Sequence, residues 1–146
     1  MDDPSVDDAP RARRALATIL LLGGIGTVVY WVTFFTSGAV QATREPCYLA
    51  FERAFPAADG WTAVTAILAG VALLRRRPAA VLFAVAAGSG FVFLGLMDVL
   101  YNLEHGMYAL WTAEMAGEIV INVFCLGVGP LAIGCAWRWR RVLDPR

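Results

Sequence analysis

The sequence predicts an all-α protein, an antiparallel bundle of four transmembrane helices. Hydrophobic residues make up 59% of the 146 residues and charged residues only 16%, whereas soluble domains carry about 25% charged residues. The apolar residues are gathered into four stretches with few charges, each long enough to cross a bilayer as a helix. Clusters of arginine separate some of these stretches. Together these features predict one compact membrane domain.

The four predicted spans occupy residues 15–36, 57–74, 79–103 and 109–137, within a single membrane domain over 15–141. Residues 1–14 carry four Asp and three Arg without hydrophobic periodicity, so they are predicted to be a disordered cytoplasmic tail. Residues 142–146 form a second short tail. The first apolar run is longer than the hydrophobic region of a signal peptide, which favours a retained helix.

The connections indicate how the spans are arranged. A turn over residues 75–78 is so short that the second and third spans must be antiparallel neighbours. In the first loop, aromatic and charged residues alternate in a roughly helical pattern, which predicts a short interfacial helix at about 47–55. Close helix contacts are expected at the glycines of the first and third spans. Pro130 is expected to kink the fourth span.

The arginines predict the orientation. All twelve basic residues are arginine: three lie in the N-terminal tail, three in the second loop and four after the fourth span, but only two in the first loop. Because arginine accumulates on the cytoplasmic side, both termini are predicted to be cytoplasmic. The arginine-only basic set and the abundance of Ala and Gly indicate a bacterial chain, hence a multi-pass protein of the bacterial plasma membrane.

Ionisable and amide side chains cluster at the facing ends of the third and fourth spans. Asp98, Asn102 and His105 share one face of the third span by helical spacing, and Glu114, Glu118 and Asn122 share one face of the fourth. Charged groups at membrane depth are expensive and are therefore functional candidates. The predicted ligand-binding residues are Asp98, Asn102, Glu118, Asn122, Glu114, His105, Tyr101 and Trp111.

Neither span carries a basic residue beside these carboxyl groups. Arg44 and Arg53 of the first loop are the basic groups expected on that side, where they could fold over the cluster as a cap. Without such a cap, Asp98 and Glu118 are expected to hold or share a proton. This chemistry suits proton transfer, cation binding, or a hydrogen bond to the polar group of an apolar ligand.

The predicted function is therefore an integral membrane protein with an outward-facing acidic pocket between the third and fourth spans. Its ligand would be a lipid-like or cationic small molecule, or protons. Two alternatives stay open: an isomerase-type membrane enzyme using the same carboxyl groups, and a structural or accessory subunit without a ligand. No cofactor or metal is predicted, although His105 with Glu104, Glu114 or Asp98 offers metal-ligand types. The expected partners are the lipid bilayer and a second copy of the chain; the balanced charge predicts no nucleic acid.

The chain resembles two groups of membrane proteins. Three segments carry the first resemblance: YWVTFFTSG (30–38), FPAADGW (55–61) and LMDVLYNLEHGMY (96–108). In them the chain resembles small bacterial four-helix membrane proteins of unknown function. The chain is also similar in architecture to the emopamil-binding-protein superfamily, in which acidic and aromatic residues surround a buried ligand pocket. The residues of matching type are Trp31, Asp98, Tyr101, Glu104, His105, Trp111 and Glu118. This second resemblance implies a helical bundle around a pocket for a hydrophobic ligand.

Overall fold

The computed structural model describes residues 5–143, which form five α-helices. The helices are α1 (Ser5–Thr36), α2 (Pro46–Glu52), α3 (Pro56–Leu74), α4 (Ala79–Glu104) and α5 (Ala113–Leu143), with a single 3-10 turn at Met107–Ala109. The long helices α1, α3, α4 and α5 run up and down in an antiparallel bundle. The predicted all-α four-helix fold is confirmed, because this part of the chain contains no strand.

The observed helices α3 and α4 match the second and third predicted spans to within one residue. The first helix differs, since it begins at Ser5 and includes residues 5–14 of the predicted disordered tail. The segment from Pro10 to Arg14 contains Ala and Arg, which are strong helix formers, and no turn residue separates it from the apolar run. Residues 1–4 of that tail lie outside the described residues.

The fourth span is shifted towards the C-terminus. Helix α5 begins at Ala113 rather than 109, because Gly106 turns the chain with a φ of 64° and the Thr112 hydroxyl accepts a hydrogen bond (3.1 Å) from the Met115 N–H. Such a side-chain cap satisfies a free N–H of the first helical turn. The last turn of α5 contains Arg140 and Arg141, and basic side chains at this end of a helix complement the helix dipole. The helix thus takes in 142–143 of the predicted second tail, and 144–146 lie outside the described residues.

The short helix α2 does not lie flat on the surface of the bundle. Tyr48 and Glu52, one helical turn apart, are both buried, at 1% and 9% exposed. Phe51 stacks on Tyr101 of α4, with ring centroids 3.9 Å apart. The helix at the predicted place is therefore turned inward, and it closes one end of the bundle. We call this end, with residues 37–55 and 105–112, the loop end.

Small residues set the order in which the long helices pack: α1 against α3, α3 against α4, and α4 against α5. At the α4–α5 crossing, a Cβ built on Gly88 would lie 2.7 Å from the Gly129 carbonyl oxygen. A Cβ built on Gly24 of α1 would lie 2.8 Å from the Ala63 carbonyl oxygen of α3. Glycine at these positions permits the close backbone approach typical of membrane helices.

The Gly88 contact makes a testable prediction for stability. Gly88→Ala is expected to lower the free energy of unfolding by about 1–3 kcal/mol, the usual cost of overpacking, because a backbone oxygen cannot move aside as a flexible side chain would. Gly127→Ala is the matched control, since a Cβ there meets nothing within 4 Å. Thermal unfolding in detergent checks both variants; equal loss of stability in the two would contradict the packing described.

The outer surface of the bundle is apolar. Side chains such as Leu82 (68% exposed), Val123 (68%) and Phe93 (55%) point away from the core, where water would not stabilise them. Four helical segments are long and apolar enough to cross a membrane: Pro10–Thr36, Pro46–Leu74, Ala79–Glu104 and Ala113–Leu143. This is the architecture of a multi-pass integral membrane protein.

Candidate functional site: a cavity between α1 and α5

A cavity of about 490 Å³ lies between α1 and α5, with α4 behind it and residues of α2 and α3 at the loop end. We call it the central cavity. Four of its lining residues carry carboxyl groups: Glu52, Asp59, Asp98 and Glu118. Among the described residues, no arginine and no histidine contributes to the lining. The remaining lining residues are mainly aliphatic and aromatic.

The central cavity is polar at one end and apolar at the other. Asp59 lies in the first turn of α3 and Glu118 in the second turn of α5, both close to the loop end. Phe91 lies seven residues before Asp98 on α4, which corresponds to about 10 Å along the helix axis. Phe91, Phe124 and Leu22 line the part towards the middle of the bundle. The carboxyl groups therefore lie in the part of the cavity near the loop end, and an apolar chamber lies towards the middle of the bundle.

The side of the cavity is open. Leu22 and Val29 of α1 and Val120 of α5 line the cavity, yet are 65%, 57% and 67% exposed, so its opening faces the same surroundings as the lipid-facing surface. At the end of the cavity away from the loop end, the Phe124 ring lies against α1. A Cβ built on Gly23 would lie 2.7 Å from the Cζ atom of Phe124. The loop end is covered by Val40, Glu52 and Phe55.

A second cavity of about 220 Å³ continues the gap between α1 and α5 towards the loop end. It shares Tyr30, Val40, Glu118 and Ile121 with the central cavity. Glu114, one turn before Glu118, lies in its wall. The two cavities thus form one continuous crevice, with Glu118 at their common wall.

Glu118 is held at both of its oxygens. Tyr48 of α2 donates its hydroxyl to Oε1 at 2.5 Å, and Asn102 of α4 donates Nδ2–H to Oε2 at 3.4 Å. The same Tyr48 hydroxyl accepts a hydrogen bond (3.2 Å) from the Ala42 N–H. Glu118 therefore ties the first loop and α2 to both α4 and α5.

Two further carboxyl groups accept hydrogen bonds from aromatic residues of α1. The Tyr30 hydroxyl donates to Glu52 Oε2 at 3.2 Å, and the Trp31 indole N–H donates to Asp59 Oδ2 at 2.7 Å. Trp31 is only 9% exposed, so its N–H needs a partner within the bundle. These bonds fix Glu52 and Asp59 against the wall of the cavity.

Asp98 differs from the other three carboxyl groups. It lines the central cavity, but no backbone group of residues 5–143 and no side chain of residues 10–143 forms a hydrogen bond with it. Its position on α4 directs it to the cavity that α1 and α5 leave between them. Asp98 is thus the carboxyl group whose oxygens face the cavity without a protein partner among the described residues.

The other predicted site residues lie in three kinds of place. Asn102 is buried beside Glu118, and Glu114 lines the smaller cavity. Asn122 is buried but bonds the Tyr108 hydroxyl at 3.2 Å, outside the central cavity. The remaining three lie at the loop end away from the cavity: Tyr101 stacks on Phe51, His105 stacks on Tyr101 from an exposed position, and Trp111 is 99% exposed.

Of the two alternatives for the surroundings of the carboxyl groups, the arginine cap is wrong, and so is the expected place of the cavity. Arg44 and Arg53 are exposed and neither lines a cavity, so the loop end is capped by the aromatic side of α2 instead of by arginine. The cavity also does not lie in the α4–α5 interface. Gly88, Gly95 and Gly129 let these helices touch, which leaves space only where Asp98 and Glu118 turn towards α1.

Sequence reasoning missed Glu52, Asp59, Tyr30 and Tyr48 as members of the site. A signal existed in the first loop, because Tyr48 and Glu52 share one face of a short helix. Asp59 lies in the first turn of α3, where the helix dipole favours an acidic residue, so its position in the sequence does not indicate its contact with Trp31. The spacing of Tyr48 and Glu52 shows that they share a face of α2, but it does not show whether this face turns towards the bundle or away from it.

Among the described residues, no group of three or more His, Cys, Asp or Glu side chains is placed to hold a metal ion. Comparisons with protein-family models, curated proteins and solved structures give no match. The fold and the site thus define a class, a multi-pass membrane bundle with a carboxyl-lined cavity.

Proposed function

We propose that this protein binds an amphipathic molecule with an apolar body and a cationic group, inside the membrane. One observation carries the proposal: a cavity of about 490 Å³ has apolar walls and four carboxyl-bearing residues, and no basic residue of the described part of the chain lines it. Small-molecule sites typically enclose about 300–1,000 Å³ and combine apolar walls with a few polar groups. The cavity falls within this range.

Electrostatics favours a cation over an anion or a neutral ligand. Burying carboxyl groups without a counter-charge costs free energy, and Arg44 and Arg53 are too exposed to provide one. A cationic group at the polar end would offset this cost at short range, where the low dielectric strengthens the attraction. An anionic group would meet four acidic side chains and would be rejected.

The lateral opening supports a lipid-like body for the ligand. Leu22, Val29 and Val120 border the opening on the apolar surface of the bundle. A molecule dissolved in the bilayer can reach this opening without crossing water, whereas the first loop and α2 cover the loop end. The apolar chamber beside Phe91 and Phe124 would then take the hydrocarbon part.

The test compares two probes of equal chain length and opposite charge, dodecylamine and dodecanoate. We expect the amine to bind the wild-type protein at least about tenfold more tightly, because a charge-assisted contact contributes about 1.5–3 kcal/mol. Native mass spectrometry of protein released from phosphatidylcholine nanodiscs measures occupancy, corrected for partition into empty discs. Equal binding of the two probes would contradict the proposal, and binding of neither would favour the structural-subunit alternative.

We further propose that the loop end faces away from the cytoplasm, on the side opposite the arginine clusters. The arginine asymmetry supports this orientation. Cys47 at the loop end is exposed, whereas Cys125 is buried. In intact cells, a membrane-impermeant maleimide is therefore expected to label the wild-type protein but not a Cys47→Ser variant. Labelling only after the cells are opened would reverse the orientation.

A further inference from the structure

We propose that Asp98 is the residue that contacts the cationic group and sets the charge preference, while Glu52, Asp59 and Glu118 shape the site. The inference rests on the proposed function and deepens it, because it assigns different roles to four carboxyl groups of the same cavity. The cationic group would lie at the level of Asp98, and the apolar body would extend towards Phe91 and Phe124.

The hydrogen bonds separate the four groups. Glu118 accepts from Tyr48 and Asn102, Glu52 accepts from Tyr30, and Asp59 accepts from Trp31. Every one of these donors is neutral and belongs to a different helix from its acceptor. These bonds join α1, α2, α3, α4 and α5 around the cavity, so the three carboxyl groups already have a structural task.

Asp98 has no such task. It accepts no hydrogen bond and forms no ion pair with the side chains of residues 10–143, although it is half-buried and lines the cavity. A carboxyl group in an apolar wall is stabilised by a hydrogen-bond donor, by a cation or by binding a proton, and a cationic ligand favours its ionised form. The cavity beside it is the place from which a ligand can supply that partner.

The geometry also places Asp98 at the boundary between the polar and apolar parts of the cavity. Leu94, one turn below on α4, and Phe91 face the same cavity, so a hydrocarbon body lying along α4 brings its head group to Asp98. Glu118 faces Asp98 from α5, but each of its oxygens already accepts one hydrogen bond, from Tyr48 or from Asn102, so it has less acceptor capacity left than Asp98. A cation at this boundary therefore has Asp98 as its available acceptor.

The experiment uses a neutral probe, dodecanol, beside dodecylamine, with the full-length protein in nanodiscs. We expect Asp98→Asn to weaken amine binding by about ten- to a hundredfold and to leave dodecanol binding unchanged. Glu118→Gln and Asp59→Asn should reduce the preference for the amine much less than Asp98→Asn does, even where they lower the melting temperature. Asp98→Glu should retain most of that preference, because the charge is kept.

The outcomes separate this inference from the proposed function. If Asp98→Asn still prefers the amine as the wild type does, or if Glu118→Gln loses the preference to the same extent, the assignment of Asp98 is wrong while the cavity can still be the site. If the wild-type protein shows no preference for the amine at all, the proposed function itself fails. Thermal unfolding of each variant shows that an observed loss of binding comes from a folded protein.

Discussion

Gly26→Phe is expected to abolish binding of both dodecylamine and dodecanol while leaving the fold intact. Gly26 lines the central cavity, and a Cβ built on it meets nothing within 4 Å. A phenyl group has room to enter the cavity from α1 and would occupy the space of the ligand. Phenylalanine is also a better helix residue than glycine in the interior of a helix, so the melting temperature should not fall.

The matched control is Gly127→Phe on α5. Gly127 also has open space around its Cβ, but it lines neither cavity, so its variant should bind both probes as the wild type does. Probe binding by native mass spectrometry and thermal unfolding are measured for both variants. If Gly26→Phe binds dodecylamine with wild-type affinity, the central cavity is not the binding site and the proposed function is wrong.

Tyr48→Ala is expected to cause the largest loss of stability, about 3–5 kcal/mol in the free energy of unfolding. Tyr48 is 1% exposed, and its hydroxyl links the Ala42 N–H to Glu118. The truncation leaves a void and removes one of the two hydrogen bonds to the Glu118 carboxyl. Helix α2 should then detach from the bundle, and limited proteolysis between residues 37 and 55 should become faster.

Two controls separate the contributions to this effect. Tyr48→Phe keeps the ring and removes only the hydroxyl, so it should cost about 1–3 kcal/mol. Trp111→Ala removes a larger aromatic side chain from the same end of the bundle, but Trp111 is 99% exposed and its loss should be nearly neutral. A Trp111→Ala variant as unstable as Tyr48→Ala would contradict the described position of α2 as the cover of the site.

The sequence indicates the polar residues of the candidate site that lie within long apolar helices, but not those that lie near helix ends. Asp98, Asn102 and Glu118 are rare polar residues in long apolar helices, and the cost of burying them marks them from the sequence alone. Glu52 and Asp59 lie near helix ends, where solvation or a helix dipole explains an acidic residue equally well. His105 and Trp111 have suggestive chemistry, but His105 directly follows the end of α4 and Trp111 lies in the connection before α5, and both side chains are exposed.

What the sequence by itself determined is the class of the protein: four apolar helices, their order, most of their bounds, and the presence of carboxyl groups near one end. Hydrophobic length and turn residues are local properties, so they can be read along the chain. Only the tertiary structure decided that the cavity opens between α1 and α5 and that α2 folds inward. Helical spacing determines which residues share a face of a helix, but not which neighbouring helix that face contacts. Here that choice depends on where glycines such as Gly88 and Gly129 bring two backbones together and thereby leave space elsewhere.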